Sequence, residues 1–250
     1  MPELLSGVLA TPGLVWLCFA IGVAGLVRGF TGFGTALIVV PVANIFLSPK
    51  EVIVVIMLTG IASNAVILRR AWQQGQPKEV GVLVLAALVT VPLGLALLDL
   101  LDNDTVRWII TGVAGGMLAA LIAGWRYARV ITRPGLLAIG AAAGIVGGLT
   151  GLTGPVVILF YLSGQAAVSS VRGNTILFLA ALDVVLIANL LWQGVVTWEL
   201  TLLAVVMAVP YLITTLIGQA LFDPTRERLY RWAAYGVIAL AVISGLPLWD

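Results

Sequence analysis

Residues 26–41 read LVRGFTGFGTALIVVP. This stretch sits inside an apolar run from 14 to 47, yet it holds Arg28 and glycines at 29, 32 and 34. An arginine in hydrocarbon is costly and faces a protein interior or a wet cavity. Glycines so closely spaced weaken a helix. The run is therefore broken near 28–35, and each half of about 14 residues is too short to span a bilayer comfortably. It is either one kinked crossing or a hairpin that dips in and returns.

Working outward, the whole chain has the composition of a polytopic membrane protein. Of its 250 residues, 61% are hydrophobic and 10% are charged, with a mean hydropathy of +1.14. A soluble domain carries about a quarter charged residues. The net charge of +2 gives no reason to expect nucleic acid as a partner. A single cysteine, Cys18, rules out an internal disulfide, and with no histidine the chain has neither a metal-binding cluster nor the commonest acid–base residue. No metal, no cofactor and no enzyme activity are expected. The N-terminus has no basic residue ahead of its apolar run, so no cleaved signal peptide is expected.

Further apolar segments cover 52–69, 79–101, 106–125, 171–192, 198–222 and 229–248. These are long enough to cross about 30 Å of hydrocarbon. A second broken run covers 135–163, interrupted near 147–155. The distribution of lysine and arginine separates the two topologies. If both broken runs cross, one side holds Arg69, Arg70, Lys78, Arg126, Arg129 and Arg133, and the other holds Lys50, Arg107, Arg172, Arg226, Arg228 and Arg231, six against six. If both are re-entrant, one side collects all of these except Lys50 and Arg107, ten against two. The biased arrangement is preferred, with six full spans and both termini outside. Trp16, Trp72, Trp108, Trp125, Trp192, Trp198, Trp232 and Trp249 all fall near segment ends, as interfacial rings do.

The two broken runs resemble each other. GLVRGFTG at 25–32 and GIVGGLTG at 144–151 share G-x-V-x-G-x-T-G at an offset of 119. Pro92 and Pro210 sit mid-span in the third segment of each half, and Arg107-Trp108 and Arg231-Trp232 open the last spans. The chain thus reads as a duplication, with one repeat over 1–130 (hairpin 14–47) and another over 131–250 (hairpin 135–163). Three full spans per repeat, an odd number, invert the second copy relative to the first. The expected fold is all-α and polytopic: two inverted repeats, each a re-entrant helical hairpin plus three transmembrane helices, with the hairpin tips meeting near the midplane.

At each tip a second half-helix begins, presenting free backbone N–H groups and the positive end of its dipole. Such ends suit a small anion. Thr31, Thr35, Thr150 and Thr153 add hydroxyls, and Arg28 adds a forked cation matched to oxyanions; the plainer readings are glycines that only permit close helix packing and an arginine that snorkels or forms a structural ion pair. Asp183 is the other intramembrane charge, and Asn64 is its equivalent at the 119 offset. Asp183 is read as a partner for Arg28, a proton carrier, or a helix–helix hydrogen bond. Arg172 and Asn174 open the following span, as a gate or as interfacial residues, and Gln219 is a further cavity-lining candidate. GFTGFG is not a phosphate-binding loop, because it follows no strand and lacks GK[ST].

These paired hairpins, with RGNT at 172–175, resemble the two signature repeats of the TauE/SafE family of membrane transporters over essentially the whole chain. The resemblance implies transport of a small sulfur-containing anion, an organosulfonate or sulfite, across the bacterial inner membrane. The family's motif positions map to Gly29, Thr31, Gly32 and Gly34, and to Gly148, Thr150, Gly151 and Gly154. Threonine and phenylalanine interrupt a first glycine run that is often longer in members. An aryl sulfonate would need an apolar slot, for which Phe30, Phe33, Phe160 and Tyr161 are available; a taurine ammonium would need Asp183. An anion channel using the same site is the alternative, and a non-transporting membrane partner a third reading. Partners are thus a small anion and the bilayer, with coupling to a proton or to sodium; direction of transport is left open.

Overall fold

The computed structural model describes residues 8, 10–31, 33–124, 132–161, 168–221 and 227–248. The described residues form helices and short connections: α1 Leu14–Thr31, α2 Thr35–Ala43, α3 Pro49–Gln74, α4 Pro77–Leu100, α5 Asn103–Ile122, α6 Arg133–Thr150, α7 Pro155–Tyr161, α8 Val168–Trp192, α9 Trp198–Leu221 and α10 Glu227–Ser244. Five of them are long and apolar enough to cross a membrane: α4, α5, α6, α9 and residues 173–192 of α8. Their outward faces carry large apolar side chains such as Leu85, Val89, Val184, Val205 and Leu216. The chain is an all-helical, multi-pass membrane protein. The described tryptophan side chains at 16, 72, 108, 192 and 198 are exposed near helix ends.

Local sequence sets the helix ends. Ser48 and Glu51 form a capping box ahead of Pro49, whose ring fits the first helical turn. The Asp102 side chain accepts from the Thr105 amide and starts α5. Both broken runs break where the sequence reading expected. α1 stops at Thr31 and α2 restarts after Gly34, whose φ of 101° is open to glycine and strained for other residues. α6 stops at Gly151, with φ 71°, and α7 starts at Pro155. The first run turns back on itself: Gly13, just ahead of α1, lies against the Phe46 ring, just beyond α2.

Packing between helices is close. A Cβ on Gly29 would stand 2.6 Å from the Thr215 carbonyl oxygen and 2.7 Å from the Gly218 Cα. A Cβ on Gly148 would stand 2.6 Å from the Val91 carbonyl oxygen and 3.0 Å from the Gly94 Cα. Gly25 meets Tyr211 and Thr214 in the same way that Gly144 meets Ala87 and Thr90. Small residues bring α1 against α9, and α6 against α4, at backbone distance, the usual device where lipid removes the hydrophobic drive between helices. In both pairs the contacts advance together along the two chains, so the helices run parallel. α3 and α8 run antiparallel: Lys50 bonds to Gln193, Asn64 to Asp183, and the Gln76 amide to Asn174.

The two crossings correspond residue for residue at an offset of 124, pairing Thr90 with Thr214 and Gly94 with Gly218. This corrects the proline reading. Pro92 and Pro210 do lie inside α4 and α9, but in this register Pro92 matches Leu216 and Pro210 matches Ala86. Their near-equal offset is coincidental.

Candidate functional site

α3 and α8 cross at Asn64 and Asp183, and the tips of the two broken runs converge on that crossing. Between them lies a cavity of about 50 Å³. Its polar lining comes from Arg28, Gly34, Thr35, Asn64, Thr153, Gly154, Asp183 and Tyr211. Phe33, Ile56, Met57, Ile158 and Leu179 close the apolar walls.

Arg28 stands in the last turn of α1, where the helix dipole favours a cation. Its Nη2 donates to Asn64 Oδ1 at 2.9 Å. Asn64 Nδ2 donates in turn to Asp183 Oδ2 at 3.0 Å. One buried amide thus links the cation to the carboxylate, and Arg28 and Asp183 meet through Asn64 rather than in a direct ion pair. Across the cavity, Thr35 Oγ1 and the Tyr211 hydroxyl share a hydrogen bond of 3.0 Å. Tyr211 is 1% exposed, the largest fully buried side chain among the described residues. Gly34 gives α2 no side-chain cap. The first amides of α2, at Thr35 to Leu37, are the orphan donors of a helix start, and all three of these residues line the cavity.

Of the residues singled out from sequence, Arg28, Gly34, Thr35, Asn64, Thr153, Gly154 and Asp183 come together here. Others are placed elsewhere. Gly29 and Gly148 face α9 and α4. The Thr150 hydroxyl donates to Val146 O and accepts from the Leu152 amide, closing the end of α6. Gly151 faces Ile53. Asn174 accepts from the Gln76 amide, away from the cavity. Phe30 stacks on Tyr230 at 4.6 Å, and Gln219 is exposed. Gly32 and the side chains of Thr31, Phe160, Tyr161 and Arg172 lie outside the described residues. Tyr211 is the functional candidate that sequence reading missed. Its signal was a tyrosine in the middle of an apolar span, far from the interfacial positions such rings prefer.

Broken helices that meet at a charged cavity in a multi-pass helical protein are an arrangement seen in membrane transporters. The chain belongs to the TauE/SafE sulfite exporter family, whose sequence model matches residues 7–245. No curated protein and no solved structure shows a significant match to it.

Proposed function

We propose that this protein is a secondary transporter of a small sulfur-containing oxyanion across the bacterial inner membrane, with the anion held in the central cavity. The carrying observation is the cavity's donor set: the Arg28 guanidinium, the uncapped start of α2, and the hydroxyls of Thr35, Thr153 and Tyr211 surround one space. Forked guanidinium donors and free amides match the oxygens of an oxyanion. The cavity, of about 50 Å³, suits a small anion. Sulfite, one sulfur with three oxygens, is a compact anion of that kind. Family membership independently favours a sulfite-like substrate.

The repeat architecture proposed from sequence is supported by helix direction. α3 runs against α8, while α1 follows α9 and α6 follows α4. Carried along the chain, these directions put equivalent helices in opposite senses. They also put the connections after α3, α5, α7 and α9 on one side, the arginine-rich side of the ten-to-two distribution. Under that reading the cavity lies where the two inverted halves meet, and rocking of one half against the other exposes it alternately.

The test is counterflow of radiolabelled sulfite in liposomes containing the purified protein. Saturable exchange, reduced at least about tenfold by Arg28→Gln, is the expected result, since loss of a charge-assisted hydrogen bond weakens binding by about 1.5–3 kcal/mol. Unsaturable conductance would favour the channel alternative. Equal exchange by Arg28→Gln would remove the site from this cavity.

A further inference from the structure

We propose that Asp183 is the proton-coupling residue, so that the anion binds together with a proton on the Asp183 carboxyl group and the two cross as a unit. The inference rests on the anion-carrier reading above and names the ion that drives it.

The geometry leads there. One arginine and one carboxylate line the same cavity of about 50 Å³, joined through the two ends of the Asn64 amide. With the cavity empty, their charges offset each other. An anion entering beside Arg28 adds a second negative charge within a few ångströms of Asp183. In a space that small, no arrangement keeps the two apart by much water, and like charges so placed disfavour joint ionisation. A proton taken by the carboxylate from the side the anion enters removes the conflict and leaves the Arg28 charge to the anion. Release of the anion on the far side restores the carboxylate and frees that proton there.

The remaining groups around Asp183 do not substitute for it. Arginine keeps its charge in proteins. From α3, Gly60 and Asn64 face Asp183 and neither ionises. From α9, the Tyr211 hydroxyl is engaged with Thr35. Thr153, Gly154 and Ile158 bring no titratable group from the α7 side. The described charged side chains of α3 and α4, at Lys50, Glu51, Arg69, Lys78, Glu79 and Asp99, lie toward the helix ends and outside the lining. Among the described residues Asp183 is the lone carboxylate of the cavity.

The experiment uses the native protein in sodium-free liposomes with a pH-reporting dye inside and the membrane potential clamped. The probe is methanesulfonate, a permanently ionised anion that carries no proton of its own. A methanesulfonate gradient is expected to drive protons in the anion's direction, about one for each anion. In parallel, methanesulfonate affinity of the native protein is expected to rise by up to about tenfold per pH unit as pH falls, and Asp183→Asn is expected to flatten that dependence. Tyr211→Phe should keep it. Anion flux without proton movement, or flux that appears only with sodium, overturns the coupling while leaving the carrier reading in place. Pronounced pH dependence surviving in Asp183→Asn overturns it as well. If neither methanesulfonate nor sulfite moves, both readings fall. Should Asp183→Asn fail to fold, the dye measurement on the native protein decides alone.

Discussion

Under the proposed repeat, Arg28 and Asp183 come one from each half of the chain, and the positions 119 residues away hold Gly147 and Asn64. The charges are then not duplicated, and the cavity is polarised. These residues were legible in sequence because an ionisable group in an apolar run has few reasons to be there. Tyr211 was not singled out, because a tyrosine ring passes for an apolar side chain among leucines; its mid-span position was the one sign, and the buried hydroxyl bond to Thr35 makes its role plain. The role of Gly29 was misplaced for a related reason. A glycine that admits a ligand and a glycine that admits another helix look alike in sequence, and Gly29 admits the Thr215–Gly218 backbone. Tyr211→Phe keeps the ring and removes the hydroxyl. It should weaken sulfite binding about 5- to 10-fold, the worth of one neutral hydrogen bond, without changing the oligomer or the helix content. Titration calorimetry on the purified variant checks this, and full affinity would exclude the hydroxyl from the site.

At the scale of the elements, the fold depends on two glycine-mediated crossings. A leucine at 148 would drive atoms into the Val91 carbonyl and the Gly94–Leu95 backbone, which no rotamer relieves. Gly148→Leu should destabilise by about 1–3 kcal/mol or more and lower the yield of monodisperse protein. Gly112→Leu is the contrast, because nothing lies within 4 Å of a Cβ there; its cost should stay within about 0.5 kcal/mol. Thermal unfolding of both in detergent compares them, and equal stability would show that the crossing is looser than described. The breaks in the first and second apolar runs were readable from glycine and threonine spacing. The register of the last helices was readable too, but in the wrong marker. The Arg107-Trp108 and Arg231-Trp232 pairs carry the 124 offset seen in the packing, whereas the prolines do not. Proline is tolerated at many depths of a membrane helix, so its position says little about equivalence.

For the whole molecule, charge distribution and helix direction both support the proposed topology. Lysine and arginine favour the side of the α3–α4 and α5–α6 connections, and the antiparallel α3–α8 crossing is what an inverted second half requires. Single cysteines introduced at 128 and at 196 in a Cys18→Ser background separate the sides. An impermeant thiol reagent added to intact cells should label position 196 and spare position 128; the reverse pattern would invert the orientation, and labelling of both would break it. Overall class was readable because hydropathy reports span length directly. The meeting of the two tips was expected only from the repeat, since contacts between residues more than a hundred positions apart leave no trace in local composition.

The central claim is that an oxyanion sits between Arg28 and the two tips. Selenite has the shape of sulfite and an anomalous scatterer at its centre. Diffraction from crystals grown with selenite, at the selenium edge, locates it without reference to activity. The account predicts one anomalous peak in the central cavity, within about 4 Å of the Arg28 guanidinium, as a charge-assisted contact to its oxygens requires, and no such peak in Arg28→Gln. A peak at a helix end or on the arginine-rich surface, with the cavity empty, would contradict it.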